Sequence, residues 1–267
     1  MVVQGIFRKH LYSLTALLLF VLLHGGAAVG QSSRHEGGAP PFKTGERLSY
    51  QLRWGILPAG TVVLEVLPME TVSGVTAHHF AMTATSSGYV DLVYPVRDRV
   101  DAYADLAAGR SLLYRKKQRE GRHRRDETVR FDWTGSRAAY ENFGKKRNPI
   151  PVGPGTFDPL SVFYAFRMQE IRENIELHAP VSDGKKCVTG VARVRTREKI
   201  RLWGQELETY LVEPDLKHVG GVFRKSDDAA LRVWVTADEK KIPVRIASRV
   251  ALGSFVADLV PADSRVE

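Results

Sequence analysis

Residues 47–54 read Arg-Leu-Ser-Tyr-Gln-Leu-Arg-Trp, so that Leu48, Tyr50, Leu52 and Trp54 alternate with Arg47, Ser49, Gln51 and Arg53. Successive side chains of a β-strand point to opposite faces, and this alternation marks a strand with one buried and one wet face. The pattern returns near the C-terminus, where Val244, Ile246 and Val250 oppose Arg245, Ala247 and Arg249, preceded by Leu231, Val233 and Val235. Further candidate strands are 61–67, 77–85, 96–103, 111–119, 128–133, 138–143, 188–195, 200–203, 208–213 and 252–260. Ser73-Gly74, Glu120-Gly121, Thr134-Gly135-Ser136, Asp183-Gly184 and Pro261 punctuate them as turns. About twelve strands at such short spacing predict hairpins in sequence order. The expected fold class is mainly β: a large curled antiparallel sheet or partly open β-barrel with one buried helix.

That helix opens at Thr156-Phe157-Asp158-Pro159, where Asp158 suits an N-cap and Pro159 the first turn. It is expected to run from Pro159 to about Asn174. Between Leu160 and Phe166 only Ser161 is polar, whereas Gln169, Glu170, Arg172, Glu173 and Asn174 make the second half polar. A helix apolar on most sides is buried on most sides, so the first half belongs inside the concave face of the sheet.

The N-terminus carries Arg8-Lys9-His10, an apolar run from Leu11 to Leu23, and small residues from Gly25 to Gly30. Those are the three parts of a secretory signal. The run is shorter than the ~20 residues a membrane-spanning helix needs, which favours cleavage near Gly30; an uncleaved anchor is the alternative. Residues 1–30 are thus read as a signal peptide, 31–41 as a flexible linker rich in Ser, Gly and Pro, and 42–262 as a single antiparallel β domain. The expected location is the periplasm. Asn148 to Gly155, rich in Pro and Gly, is the best candidate hinge. No Cys follows the apolar run to take a lipid. The single Cys187 has no partner for an intramolecular disulfide, so stability must come from the core.

Formal charge is +9, of which Arg8 and Lys9 leave with the leader. In an exported protein a basic balance points to anionic envelope surfaces and not to nucleic acid. An outer-membrane barrel needs a lipid-facing apolar band, and Arg47, Arg53, Arg245 and Arg249 at outward positions argue against one.

Catalytic motifs are missing: there is no Gly-x-Ser-x-Gly, no His-Glu-x-x-His, no phosphate-binding glycine loop and no paired Cys spacing. Neither a metal nor a cofactor is expected. His78 and His79 are adjacent on a strand and point to opposite faces, one expected wet and the other in the core. Cys187 follows Lys185 and Lys186, which favour a thiolate; a lone strand thiol is more often a small core side chain.

Two resources remain. Arg115, Lys116, Lys117, Arg119, Arg122, Arg124 and Arg125 spread cations over both faces of one hairpin, which is therefore expected to project into solvent, with Lys145, Lys146 and Arg147 two strands later. Arg115, Lys117, Arg119, Arg122, Arg124 and Arg125 are the candidate surface for an anionic partner; the simpler reading is an edge that resists aggregation. The second resource is aromatic. Trp54, Tyr94, Tyr164 and Trp234, with Arg167 on the helix, are candidate ligand-binding residues if about twelve strands enclose more volume than one helix fills. Arg167 would need a buried partner, and Asp98 or Asp101 is expected to supply it.

Gly45-Glu46-Arg47-Leu48-Ser49-Tyr50 with Trp54-Gly55 and Ala59-Gly60, then Tyr94-Pro95-Val96-Arg97-Asp98, then Asp158-Pro159-Leu160-Ser161 with Tyr164 and Arg167, then Trp234, Asp238, Ile242-Pro243-Val244 and Gly253-Ser254 form an ordered set. Over roughly 42–260 the chain resembles the exported bacterial family catalogued as domain of unknown function 3108. It departs from the pattern at Ala237-Asp238, where the family has two aspartates. The resemblance implies no activity and no catalytic residue. A likeness to periplasmic lipoprotein carriers is one of shape only.

These readings rank a non-enzymatic periplasmic binding or carrier protein for an apolar or amphipathic envelope molecule first. An envelope assembly factor that docks proteins through the basic hairpin comes second. A hydrolase of envelope polymers, which would need carboxylates or a His to converge in one pocket, comes last.

Overall fold

A computed structural model describes residues 39–216, 229–250 and 253–261. The leader and most of the linker lie outside them. The chain forms one 15-stranded sheet. In order, the strands are β1 (Arg47–Trp54), β2 (Leu57–Val72), β3 (Val75–Ser86), β4 (Arg97–Asp105), β5 (Ser111–Glu120), β6 (His123–Asp132), β7 (Arg137–Asn142), β8 (Lys145–Lys146) and β9 (Ile150–Pro151). After them come β10 (Ile175–Ser182), β11 (Cys187–Leu202), β12 (Gln205–Pro214), β13 (Ala230–Thr236), β14 (Pro243–Val250) and β15 (Gly253–Leu259). Two short helices interrupt them, α1 (Gly88–Val93) and α2 (Ser161–Arg167).

In space the order runs β10 to β15, then β1 to β8, with β9 beside β7. All strand pairs are antiparallel, and apart from β15 with β1 and β9 with β7 each joins consecutive strands. The opening octapeptide behaves as its alternation predicts, with Leu48, Tyr50 and Leu52 buried inside. Strand β1 sits at the middle of the sheet and pairs with β15 through Tyr50 and Leu259, and Trp54 and Phe255.

The sheet curls without closing, and a strap bridges its two ends. The Ser111 amide at the start of β5 donates to the Thr156 carbonyl at 3.0 Å, while Phe157 exchanges amide bonds with Pro180 and Ser182 of β10, each at 2.8 Å. Above the strap, the turn between β10 and β11 presses on the inner face of β6 and β7. A Cβ on Gly184 would come within 2.8 Å of Val129, and Gly184 also has φ +77°, so this close approach requires glycine.

Helix α2 lies inside the curl, as expected, but it is shorter than the sequence predicts. Asp158 accepts from the Leu160 and Ser161 amides at 2.8 and 2.9 Å, and the helix ends at Arg167 instead of Asn174. After Arg167 the chain leaves the helix and runs out to the edge strand β10, with Met168 and Ile171 still packed against the core. Three further expectations are corrected. The two segments 188–195 and 200–203 are one long strand, β11, bent by a register shift between Val194 and Arg197. Strand β10 and helix α1 were not predicted. Finally, His78 and His79 do point to opposite faces, but both are buried: His78 packs edge-on to Phe42 inside, and His79 is covered outside by Tyr103, stacked at 4.4 Å.

The outer face is laced with ion pairs. Arg47 meets Glu65, Arg53 and Arg245 share Asp258, and Arg195 and Arg232 share Glu213. His79 sits between Glu70 and Asp101, 2.9 Å from each. Burial opposes the charge on Asp101, but hydrogen bonds from His79 and Arg99 outweigh it and hold the carboxyl at about 2. Exposed pairs of this kind add little stability; their consequence is a face too charged for contact with lipid tails.

Candidate functional site

Inside the second half of the sheet, β11 to β14 present Ala192, Val212, Pro214, Val233, Val235, Pro243 and Ile246 toward α2. The helix answers with Phe163 and Phe166, and between them lies an apolar cleft of about 40 Å³ that opens to solvent. Its lining is apolar save for Arg167.

Arg167 is fully buried. Its guanidinium forms a fork on Glu46, with Nη1 to Oε1 at 2.6 Å and Nη2 to Oε2 at 3.0 Å. Nε donates to the Lys240 carbonyl at 3.0 Å and Nη2 to the Pro41 carbonyl at 3.2 Å. The partner expected from sequence, Asp98 or Asp101, is therefore corrected to Glu46. Asp101 is on the outer face with His79, and Asp98 is at the rim of β4. The pair also carries aromatic company: the guanidinium lies 5.7 Å from the Phe42 ring and 5.8 Å from that of Tyr164. Tyr164 stacks on Phe80 at 3.8 Å, and burial pushes its phenol well above the ordinary range.

The other expected ligand residues do not join this cavity. Trp54 stacks on Phe255 at 6.0 Å. Tyr94 ends the segment after α1, with its ring against Gly121, where a Cβ would come within 2.7 Å. Trp234 faces outward and donates from Nε1 to Glu198 at 2.5 Å. Of the five, Arg167 lines the cavity and Tyr164 buttresses the helix beside it. The lining that sequence reasoning missed, Phe163, Phe166, Val212, Val233 and Ile246, carries no signal that separates a cavity wall from ordinary core.

A second, polar cluster lies beneath the β5–β6 hairpin. Glu127 is buried and accepts from Lys116 at 2.8 Å, Lys185 at 3.1 Å and the Tyr140 hydroxyl at 2.8 Å. Burial alone would push its carboxyl up, but the two ammonium groups win and hold it at about 2. Next to it, Asp98 and Glu120 form a buried carboxyl pair. Burial first, and then the Glu120 charge, raise Asp98 to about 8, while the Arg119 amide donates to its other oxygen at 2.7 Å. A neighbouring carboxylate and burial both favour the neutral form of Asp98.

The expectation that the basic hairpin projects from the core is thereby corrected. Lys116 turns inward to Glu127, and Arg125 is half-buried between His123 and Glu127. Arg115, Lys117, Arg119, Arg122 and Arg124 are exposed. Cys187 is half-buried, 3.8 Å from the Thr156 hydroxyl. Among the described residues no three His, Cys, Asp or Glu side chains group as metal ligands.

A model of the family described as protein of unknown function (DUF3108) matches residues 49–260. The chain belongs to the DUF3108 family. The match covers nearly all of the curled sheet; within it Arg167 supplies one half of the fork, Asp158 caps α2, and Pro243 receives the Tyr50 hydroxyl at 2.8 Å, while Glu46 lies just before the matched residues. No curated protein matches this DUF3108 member. Among solved structures it is similar to a β-barrel-like protein of domain of unknown function DUF1849 from Brucella abortus, with 11% identity over 82% of this chain and 98% of that one, at a TM-score of 0.48.

Proposed function

We propose that this DUF3108 protein is a non-enzymatic carrier of the cell envelope, exported to the periplasm, which holds the apolar part of an amphipathic molecule between α2 and strands β11 to β14. The observation that supports the reading is the lining of the cavity. Nine of its ten residues are apolar, and the tenth, Arg167, makes four hydrogen bonds to Glu46 and two carbonyls. Such a wall offers dispersion and burial but few directional contacts, so it suits an acyl or isoprenoid chain better than a sugar or a peptide.

Two experiments test it. The protein is purified from its native compartment, extracted with organic solvent, and the extract is examined by mass spectrometry; a stoichiometric apolar molecule is expected. Independently, a fluorescent fatty acid is titrated into the delipidated protein, and saturable binding is expected. An empty extract together with no saturable binding removes the proposal.

A further inference from the structure

One end of the curled sheet gathers the turn between β1 and β2, helix α1 between β3 and β4, the β5–β6 tip and the β7–β8 turn. Of the ten large apolar side chains that stand exposed among the described residues, six are here: Ile56, Leu57, Tyr89, Leu92, Val93 and Phe143. Ile56 is 92% exposed, Tyr89 80% and Leu92 83%. Helix α1 has no buried residue at all. A short amphipathic element normally turns its apolar side to the core, yet here only Val90 packs there while Tyr89, Leu92 and Val93 stand out. The restraint is local: Asp91 takes a two-pronged bond from Arg97, at 2.6 and 2.9 Å, and the Ser86 hydroxyl at 2.5 Å. The Ser87 amide ties the helix start to the Ala59 carbonyl on β2 at 3.1 Å.

Cations flank this apolar rim. Arg119 and Arg124 are direct cross-strand partners, both exposed, with Arg122 in the turn between them. Like charges placed opposite each other repel, and an anion set between them relieves that repulsion. Lys145, Lys146 and Arg147 continue the cationic edge two strands away, all exposed. The apolar side chains sit on separate turns spread along the rim instead of forming one flat patch. Separate wedges suit a fluid surface that can close around each of them better than a rigid protein face. Tyrosine and aliphatic side chains beside arginines are also the composition of an interfacial lipid contact.

We propose that this end of the sheet seats on an anionic phospholipid bilayer, with Tyr89, Leu92 and Ile56 entering the headgroup region and Arg119, Arg122 and Arg124 pairing with lipid phosphates. The inference stands on the rim alone and not on the cavity, so either can fail without the other.

The protein is purified in the form the cell accumulates, and its variants are compared with the unsubstituted chain of the same N-terminus. Flotation with phosphatidylcholine vesicles, with and without phosphatidylglycerol, reads binding. Binding is expected with the anionic vesicles at low salt and should fall steeply as salt screens it. Changing Arg119, Arg122 and Arg124 together to Gln is expected to weaken it roughly a hundredfold, at about fivefold per charge near the surface. Tyr89→Ser with Leu92→Ser should weaken it while leaving the circular dichroism spectrum and melting unchanged. In a separate variant, Leu92→Trp, the added fluorescence should be quenched by bromine-labelled phosphatidylglycerol. Equal binding to neutral vesicles, variants that bind like the unsubstituted chain, an unquenched Trp at position 92, or a rim that ignores vesicles and captures a protein would each overturn the proposal.

Discussion

Arg167 and Glu46 stand 121 residues apart in the chain and meet in a two-pronged ion pair at the inner end of α2. The pair fastens the segment before β1 to the helix that roofs the cavity. Removing Glu46 strands the charge of the fully buried Arg167, which costs about 3–5 kcal/mol. Glu46→Ala should therefore lower the free energy of urea unfolding by that amount. Changing both residues together, Glu46→Leu with Arg167→Met, should cost much less, because no charge is then left behind. A single-site loss below about 0.5 kcal/mol, in the range of ordinary surface substitutions, would show that the fork is not a fastening.

Asp98 gives the protein a pH dependence of definite sign. Its carboxyl rises from 3.8 to about 8 on folding. A group whose folded value is raised contributes stability that is present below its unfolded value and lost as pH rises toward the folded one. Stability should fall between pH 5 and pH 8 by this route. Asp98→Asn keeps the acceptor for the Arg119 amide and can never ionise, so the variant should melt with a flatter dependence over that window. Melting curves at several pH values read the difference; parallel curves for the two proteins would count against a raised Asp98 carboxyl.

Filling the cavity separates ligand binding from folding. Val233 faces α2 across the space, and Val233→Phe should occupy part of it at a stability cost of about 1–3 kcal/mol or less. Affinity for the fluorescent fatty acid should drop at least tenfold while the circular dichroism spectrum stays the same. Undiminished affinity would place the binding site elsewhere.

Gly60 tests the bend in β2. Its φ is +153°, and a Cβ there would lie 2.1 Å from the Thr85 carbonyl oxygen and 2.8 Å from the Ser86 Cα. Those are backbone atoms, which cannot rotate away. Gly60→Ala should destabilise by more than about 2 kcal/mol through strain and forced separation of the strands, which would be seen as a lower unfolding midpoint with an unchanged slope.

The strands whose two faces differ were legible in the sequence, because alternation records which side is wet. β1 and β14 are of this kind. Strand β10 also carries the signal, with Ile175, Leu177, Ala179 and Val181 in alternation, but Pro180 lowers its apparent strand character. A proline of that kind belongs on an edge, and β10 is an edge of the sheet. The length of α2 was misjudged for a different reason: Arg167 reads as the start of a polar face, when in fact it is a buried anchor. Long-range pairing is what sequence reading lacks. Glu46 was quoted as part of a motif, yet nothing local connects it to Arg167. The inward turn of Lys116 likewise depends on Glu127 and Lys185, the latter 58 residues beyond its partner.

The order of the strands has a consequence for assembly of the fold. Two meanders of local hairpins, β1 to β8 and β10 to β15, pair strand to strand where the first strand lies beside the last. That seam is the most non-local contact in the ladder and the slowest to form by chain closure. A circular permutant that links the two original termini and opens the chain between α2 and β10 would turn the seam into a short connection. It should fold faster than the natural order while keeping every strand neighbour, and so reveal whether the meeting of β1 and β15 limits the rate.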